Sequence, residues 1–330
     1  MEAIKNHNKA IHIMNDWMRD PFITIGPDNQ YYLTCTQQLN ETNSQGAPVW
    51  KSDDLLNWAF IGFPYQLKYA SNFLTYNNLL LKKIQTEWKN KNQLLRIWAP
   101  ELHFINNKWI LTHTSNVGLG NVAVFDGTDL SKPVSDWGAN FNRHHDPTFF
   151  TDDDGSIYLC AKCAEIIKVK SDLSGFDGNP VIIEYSDRKL GHEGVCLIKF
   201  KNKYVLFGTA WSTDQMRRGT YNLYYRTSDN VTGPYNSRKF AGRFLGHGTV
   251  FKDKFGKWWC TAFYNANEPV LTGEESLIKD VSKSAYTINK QGLTIVPLEI
   301  KMINGDVIVT AKDKYYRNPG KEEVQQFEKK

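Results

Sequence analysis

The sequence predicts an all-β chain, a single five-bladed β-propeller spanning residues 1–330. Three observations lead there. One hairpin pattern occurs five times, its internal spacing is nearly constant, and long helical periodicity is absent. Units of about this length suit four-stranded propeller blades.

The five units open at Asp20 (DPFITIGPDNQYYLT), Ala99 (APELHFINNKWILT), Asp146 (DPTFFTDDDGSIYLC), Glu193 (EGVCLIKFKNKYVLF) and His247 (HGTVFKDKFGKWWCT). Each is an apolar run, a polar turn and a second apolar run. The second run opens eleven residues after the first residue at Tyr31, Ile157, Tyr204 and Trp258, and ten after it at Trp109. Turn length fixes hairpin register, which explains the constancy. The turns carry suitable residues: Asp28-Asn29, Asn106-Asn107, Asp154-Gly155, Lys201-Asn202 and Phe255-Gly256. A third strand follows in VWKSDDLLNW, VAVFDGTDLS, IIKVKSDLSGF and LYYRTSDNVTGPY. The long first interval holds an insertion around residues 60–97. The tail LTIVPLEIKMINGDVIVTA reads as two strands joined by Asn304-Gly305, completing the last blade. A β-sandwich with coincidental hairpins is the competing fold, and five matching registers count against it.

Composition narrows the function. Forty Lys+Arg against 35 Asp+Glu give a formal charge of +5, too mild for a dedicated nucleic-acid binder. No window approaches a membrane-spanning apolar run, so no membrane partner is expected. The N-terminus lacks the apolar core of a secretory signal, which predicts a cytoplasmic protein or one whose leader has been removed. Cys35, Cys160, Cys163, Cys196 and Cys260 are odd in number and scattered. They read as core thiols, with the Cys160–Cys163 pair as a remote redox alternative. The repeat signature of WD-type interaction propellers is missing.

In a propeller the innermost strand of each blade lines the channel, so the first residues of the units converge: Asp20, Ala99, Asp146, Glu193 and His247. Singly, an Asp before a proline is a turn opener and a Glu before a glycine a solvated turn residue. Three carboxylates and a histidine in register point instead to a functional site, because like charges brought together are destabilising.

Asp20-Pro21, Trp98-Ala99-Pro100-Glu101-Leu102, Asp146-Pro147, Glu193-Gly194 and Gly246-His247-Gly248 resemble the signature positions of glycoside hydrolase family 43. The related family 117 shares the fold. The resemblance implies inverting, exo-acting or debranching hydrolysis of glycosidic bonds in plant or algal oligosaccharides. It implies Asp20 as general base, Glu193 as general acid and Asp146 as the residue that tunes and holds the acid. His247 would touch a water-bound Ca²⁺ or other ion in the channel; no cofactor is otherwise required. The default sugars are arabinofuranosides, xylosides, galactosides or anhydrogalactosides. Inversion needs carboxyl groups ~6.5–9.5 Å apart with room for water.

The fourth signature departs from family 43, which often has a proline after the glycine; here the run is Gly191-His192-Glu193-Gly194-Val195. In family 117 a neighbouring histidine has been considered as the acid, so His192 stays open beside Glu193. Glu101 reads as a supporting residue near Trp98, and Asp152-Asp153-Asp154 as a solvated turn. Arg19, Arg143, His144, His145, Arg217, Arg218 and Arg243 crowd the signatures. Arginine suits bidentate binding of carboxylate or sulfate, which predicts an acidic or sulfated sugar. The plainer reading pairs these cations with the catalytic carboxylates or with solvent. Trp17, Trp98 and Trp211 are candidates for stacking on a sugar ring. Candidate substrate contacts are therefore Trp98, His192, His145, Arg143, Trp211, Arg217 and His247. The alternative function is a catalytically silent carbohydrate-binding propeller.

Overall fold

The computed structural model describes residues 4, 7–37, 45–88, 93–138, 141, 144–184 and 187–323; Arg143 lies outside them. The fold is a five-bladed β-propeller. β1 (Ile11–Met14) is followed by a sheet of β2 (Arg19–Ile25), β3 (Tyr31–Thr36), β4 (Gly46–Ser52) and β5 (Ala59–Gln66). The second sheet is β6 (Ile97–Ile105), β7 (Lys108–Ser115), β8 (Gly120–Asp126) and β9 (Asp129–Asp136). The third is β10 (Thr148–Thr151), β11 (Ile157–Ala161), β12 (Glu165–Val169) and β13 (Val181–Ile182). The fourth is β14 (Glu193–Phe200), β15 (Lys203–Trp211), β16 (Gly219–Ser228) and β17 (Lys239–Gly242). The last contains β18 (Val250–Lys252) and β19 (Trp258–Ala262), while β20 (Ala285–Tyr286) pairs parallel to β16. β21 (Leu293–Ile303) completes it, and the far edge of β21 is shared by β1 and β22 (Asp306–Ala311). The expected tail hairpin is present; the part played by β1 was not expected, because its partner lies some 280 residues away.

Contact density divides the chain into two units. The first is Met1–Pro21, Lys162–Ile166 and Pro180–Lys330; the second is Phe22–Ala161 and Ile167–Asn179.

The second unit packs Trp109, Leu111, Ala123 and Phe125 against Tyr32, Val49 and Tyr65, and a further cluster around Trp137, Phe141, Phe149 and Leu159. The insertion differs from expectation at both ends. Residues through Gln66 form β5, and α1 (Phe73–Thr86) occupies much of the rest. Phe73, Tyr76, Leu79 and Leu80 recur at helical spacing and pack on the core, and Tyr76 donates to the Gly120 carbonyl at 3.0 Å. One short amphipathic helix is easily lost among strand signals. Thr34 donates to the Pro100 carbonyl and Thr112 to that of Pro147, each at 2.7 Å, tying one sheet to the start of the next. His113 is fully buried; its Nε2 meets the Tyr65 hydroxyl at 3.1 Å and its Nδ1 the Thr114 carbonyl at 3.0 Å. Burial pushes it down to a pKa of about 4, so it is held neutral.

The first unit is built on Val205, Phe207, Leu223, Tyr225, Cys260, Val296, Leu298 and Val309. All five cysteines of the chain are buried, as core thiols should be. Thr261 donates to the Pro21 carbonyl at 2.6 Å, repeating the tie of the other unit. Two short helices flank the sheets. α2 (Gly273–Ile278) has a Thr272–Glu275 capping box and α3 (Lys314–Arg317) is capped by Asp313, which also accepts from the Ala10 amide at 2.8 Å. Near residue 323 the chain lies against β16, where Tyr224 and Asn222 donate to Glu323 at 2.6 and 2.8 Å. Burial raises the Glu323 carboxyl to about 7.

Ala99 sits at φ +43° in front of a proline, and its amide donates to Thr36 Oγ1 at 2.7 Å. A left-handed residue with a Cβ costs ~1–2 kcal/mol, and glycine there loses part of that gain to chain entropy. Ala99→Gly is therefore expected to stabilise the protein by roughly 0.5–1 kcal/mol, read as a raised urea midpoint. His113 is neutral in the folded state below its ordinary pKa of 6.5, so stability is complete above that pH and drains away as pH falls toward about 4. Glu323 titrates in the opposite sense, so the comparison is made against His113→Gln, which retains Glu323. Between pH 7 and pH 5 the wild type should lose about 2 kcal/mol more than the variant in urea unfolding. Equal losses would refute the assignment.

Candidate active site

Turn length decides which residues are equivalent. In the second and fourth sheets a two-residue turn joins the first hairpin, with Ile105 paired to Lys108 and Phe200 to Lys203. The third and fifth have five-residue turns, with Thr151 paired to Ile157 and Lys252 to Trp258. Asp20, Ala99, Asp146 and His247 share a left-handed backbone at φ +53°, +43°, +45° and +54°. Their fourth counterpart is Gly194 at φ +65°, not Glu193. Register agrees: Glu193 faces Thr209 before a bulge, as Trp98 faces Thr114. The sequence spacing therefore misplaces Glu193 by one residue. Glycine takes up this φ without a side-chain penalty and avoids a crowded Cβ, which would lie 3.0 Å from the His247 Cα and from Thr209 Oγ1.

In the first unit the structure brings together Asp20, Glu193 and His247. His247 Nδ1 is 3.2 Å from Asp20 Oδ1 and 3.6 Å from Glu193 Oε1. The Asp20 and His247 side chains are 9% exposed each and Glu193 is 27% exposed, so the glutamate is the most accessible of the three. Since one nitrogen serves both carboxylates, their two oxygens lie within about 7 Å of each other, a ceiling that admits the short end of the inverting range.

Glu193 is held by groups that sequence reasoning missed. Tyr221 donates to Glu193 Oε1 at 2.7 Å, and Thr209 donates to the Glu193 carbonyl at 2.8 Å. Burial, and then the Glu193 charge, push the Tyr221 phenol well up, so it keeps its proton and acts as donor. Trp211 stacks on Tyr221 with ring centres 4.6 Å apart and planes 15° from parallel. The Arg217 guanidinium lies 5.6 Å from the Trp211 ring centre. Its Nε and Nη2 donate to Asn267 Oδ1 at 3.3 and 2.9 Å, and its Nη1 to Asn265 Oδ1 at 3.4 Å. Arg19 lies over the Phe263 ring at 5.4 Å. Tyr221, Asn265 and Asn267 carry no local sequence signal, because each acts on a residue remote in the chain.

His192 directly precedes the acid candidate and is half-buried; burial is the first cause that lowers its pKa. An imidazole held below its ordinary value is mainly uncharged at neutral pH. Arg243 does not join this group: it is buried and donates to the Ser276 carbonyl and to Glu322. Arg218 is exposed.

In the second unit Asp146 is buried, its amide donates to Thr114 Oγ1 at 3.0 Å, and the Thr114 hydroxyl lies 3.2 Å from its Oδ1. His145 Nε2 is 3.2 Å from Asp146 Oδ2. His144 packs against Phe141 and Phe176. Trp98 is half-buried on β6. Glu101 meets His103 at 3.0 Å, and Asp153 and Asp154 are exposed in their turn. Arg143 lies outside the described residues.

Calcium takes six to eight oxygen donors. His247 offers nitrogen, so direct contact with such an ion does not fit; contact through water remains a proposal on which no step below depends. Among the described residues no helix is long and apolar enough to cross a membrane.

The sequence model described as Glycosyl hydrolases family 43 matches residues 12–285. No curated protein matches the sequence. Three solved structures illustrate the likeness in fold. A bifunctional GH43-CE protein of Bacteroides eggerthii is 19% identical with a TM-score of 0.58; the match covers 90% of this chain and 34% of that one. An endo-1,4-β-xylanase of Bacteroides thetaiotaomicron is 19% identical with a TM-score of 0.57, covering 91% and 96%. An α-L-arabinofuranosidase of Clostridium thermocellum is 18% identical with a TM-score of 0.56, covering 88% and 92%.

Proposed function

This chain belongs to glycosyl hydrolase family 43 and is a glycoside hydrolase, and on that footing we propose that it works by inversion at the ends of oligosaccharides. The observation that carries the proposal is the shared contact of Asp20 and Glu193 with His247 Nδ1. It sets two carboxyl groups at one place with different surroundings. Asp20 is buried beside the imidazole and is assigned the general base that takes a proton from water. Glu193, more exposed and held by Tyr221, is assigned the general acid that protonates the leaving oxygen. As water attacks the anomeric carbon and the glycosidic bond breaks, Asp20 gains one proton and Glu193 loses one. The Tyr221 hydroxyl bonded to Glu193 Oε1 supports Glu193 over its neighbour as acid. Asp146 is carried over from the family resemblance as the residue that tunes the acid.

Arabinofuranosides, xylosides, galactosides and anhydrogalactosides are the proposed sugars. The arabinofuranosidase among the similar structures supports the first of these. The arginines near Glu193 favour an oligosaccharide that is acidic or sulfated.

Asp20→Asn is expected to lower kcat on aryl glycosides by at least two orders of magnitude. Proton NMR of the first-formed sugar from the wild type should show the anomer opposite to that of the substrate; the same anomer would overturn inversion. Tyr221→Phe keeps the ring stack and removes the hydroxyl that positions Glu193. Its kcat should fall about tenfold on alkyl glycosides, whose departure needs the acid, and far less on dinitrophenyl glycosides, whose departure does not. An equal loss on both series would mean that Tyr221 does not act through the acid.

A further inference from the structure

We infer that Arg217 reads a negative charge, a carboxylate or a sulfate ester, on the sugar of the leaving group. The inference rests on the glycosidase reading and adds to it the side of the scissile bond on which the charge lies.

Three features of Arg217 point the same way. The first is how it is held. It sits between β15 and β16 at φ +58°, its guanidinium laid over Trp211. Three of its five N–H groups are used by the side-chain oxygens of Asn265 and Asn267. One N–H on each terminal nitrogen is left for an oxyanion.

The second is charge. The asparagine oxygens orient the guanidinium without neutralising it. Among the described residues no carboxylate forms an ion pair with Arg217, and burial and then Arg19 both disfavour its charge, with Glu193 as the leading opposing influence. A half-buried, oriented cation beside a second cation is destabilising when empty, and a bound anion relieves it. A residue needed only for a neutral sugar hydroxyl would not require that arrangement.

The third is place. Arg217 lies on Trp211, Trp211 on Tyr221, and Tyr221 bonds Glu193. The acid faces the leaving oxygen, and Arg217, joined to the acid through these two rings, is assigned to the same side.

The test uses calorimetric binding to Asp20→Asn protein, which does not consume its ligand. The probes are disaccharides with arabinofuranose on galactose, on galacturonate and on galactose 6-sulfate, and one with galacturonate as the terminal sugar on galactose. Either anion in the leaving position should bind at least tenfold tighter than the neutral disaccharide, and the tighter of the two names the oxyanion. Adding Arg217→Gln should bring that ratio close to one. A ratio near one without the change, a ratio that survives it, or a preference seen only with the terminal galacturonate would overturn the inference. Turnover by the wild type is read separately. A binding preference that depends on Arg217, without turnover of any of the four, would count against the hydrolase reading while sustaining the charge assignment.

Discussion

The recurring constraint in this protein is a left-handed backbone kink at the head of each sheet, held in the first four by threonine hydroxyls. Asp20, Ala99 and Asp146 adopt it directly before proline, where the chain is otherwise driven to extended conformations. Such geometry persists only if the surroundings over-determine it. Here Thr36 and Thr114 accept from the amides of Ala99 and Asp146, and Thr34, Thr112 and Thr261 bond the carbonyls of the prolines that follow. Threonine hydroxyls therefore hold the kinked peptide from both sides, and that of Thr114 also meets the Asp146 carboxylate. Strain in the backbone and direction of the acid residues are one arrangement.

What distinguishes the fourth sheet is that glycine takes the kink. The residue before it, Glu193, is the proposed acid, and the glycine lets His247 approach the backbone closely enough to face both carboxylates. From Glu193 the order is phenol, indole and guanidinium, three flat groups in succession. Flat groups have few torsions to freeze, so such a stack positions a carboxylate at small entropic cost.

Much of this was legible in the sequence, and the limits have physical causes. Strand alternation and turn chemistry are local, so the five hairpins, their turns and the tail could be read directly. Equivalence across hairpins depends on loop length, and an interval one residue shorter across the two-residue turn at Lys201-Asn202 was enough to hide Gly194 behind Glu193. The helix at Phe73–Thr86 was overlooked because its apolar face is short and set among strands. Tyr221, Asn265 and Asn267 were invisible for a different reason: they act on partners set by tertiary packing. Arg243 looked like its neighbours on paper, yet burial and Glu322 remove it from the site. For Asp20, Glu193 and His247 the pattern was specific enough that the contact itself could be anticipated.

The edge of β21 is completed by two segments from opposite regions of the polypeptide, residues 11–14 and 306–311. During synthesis the earlier segment leaves the ribosome with no strand to pair with, and it waits until β21, some 280 residues later, has followed. The clasp thus forms late relative to the sheets between, and closing so long a loop is slow. Until it does, an uncovered strand is offered to any neighbouring nascent chain, which makes this seam the place where exchange between copies would begin.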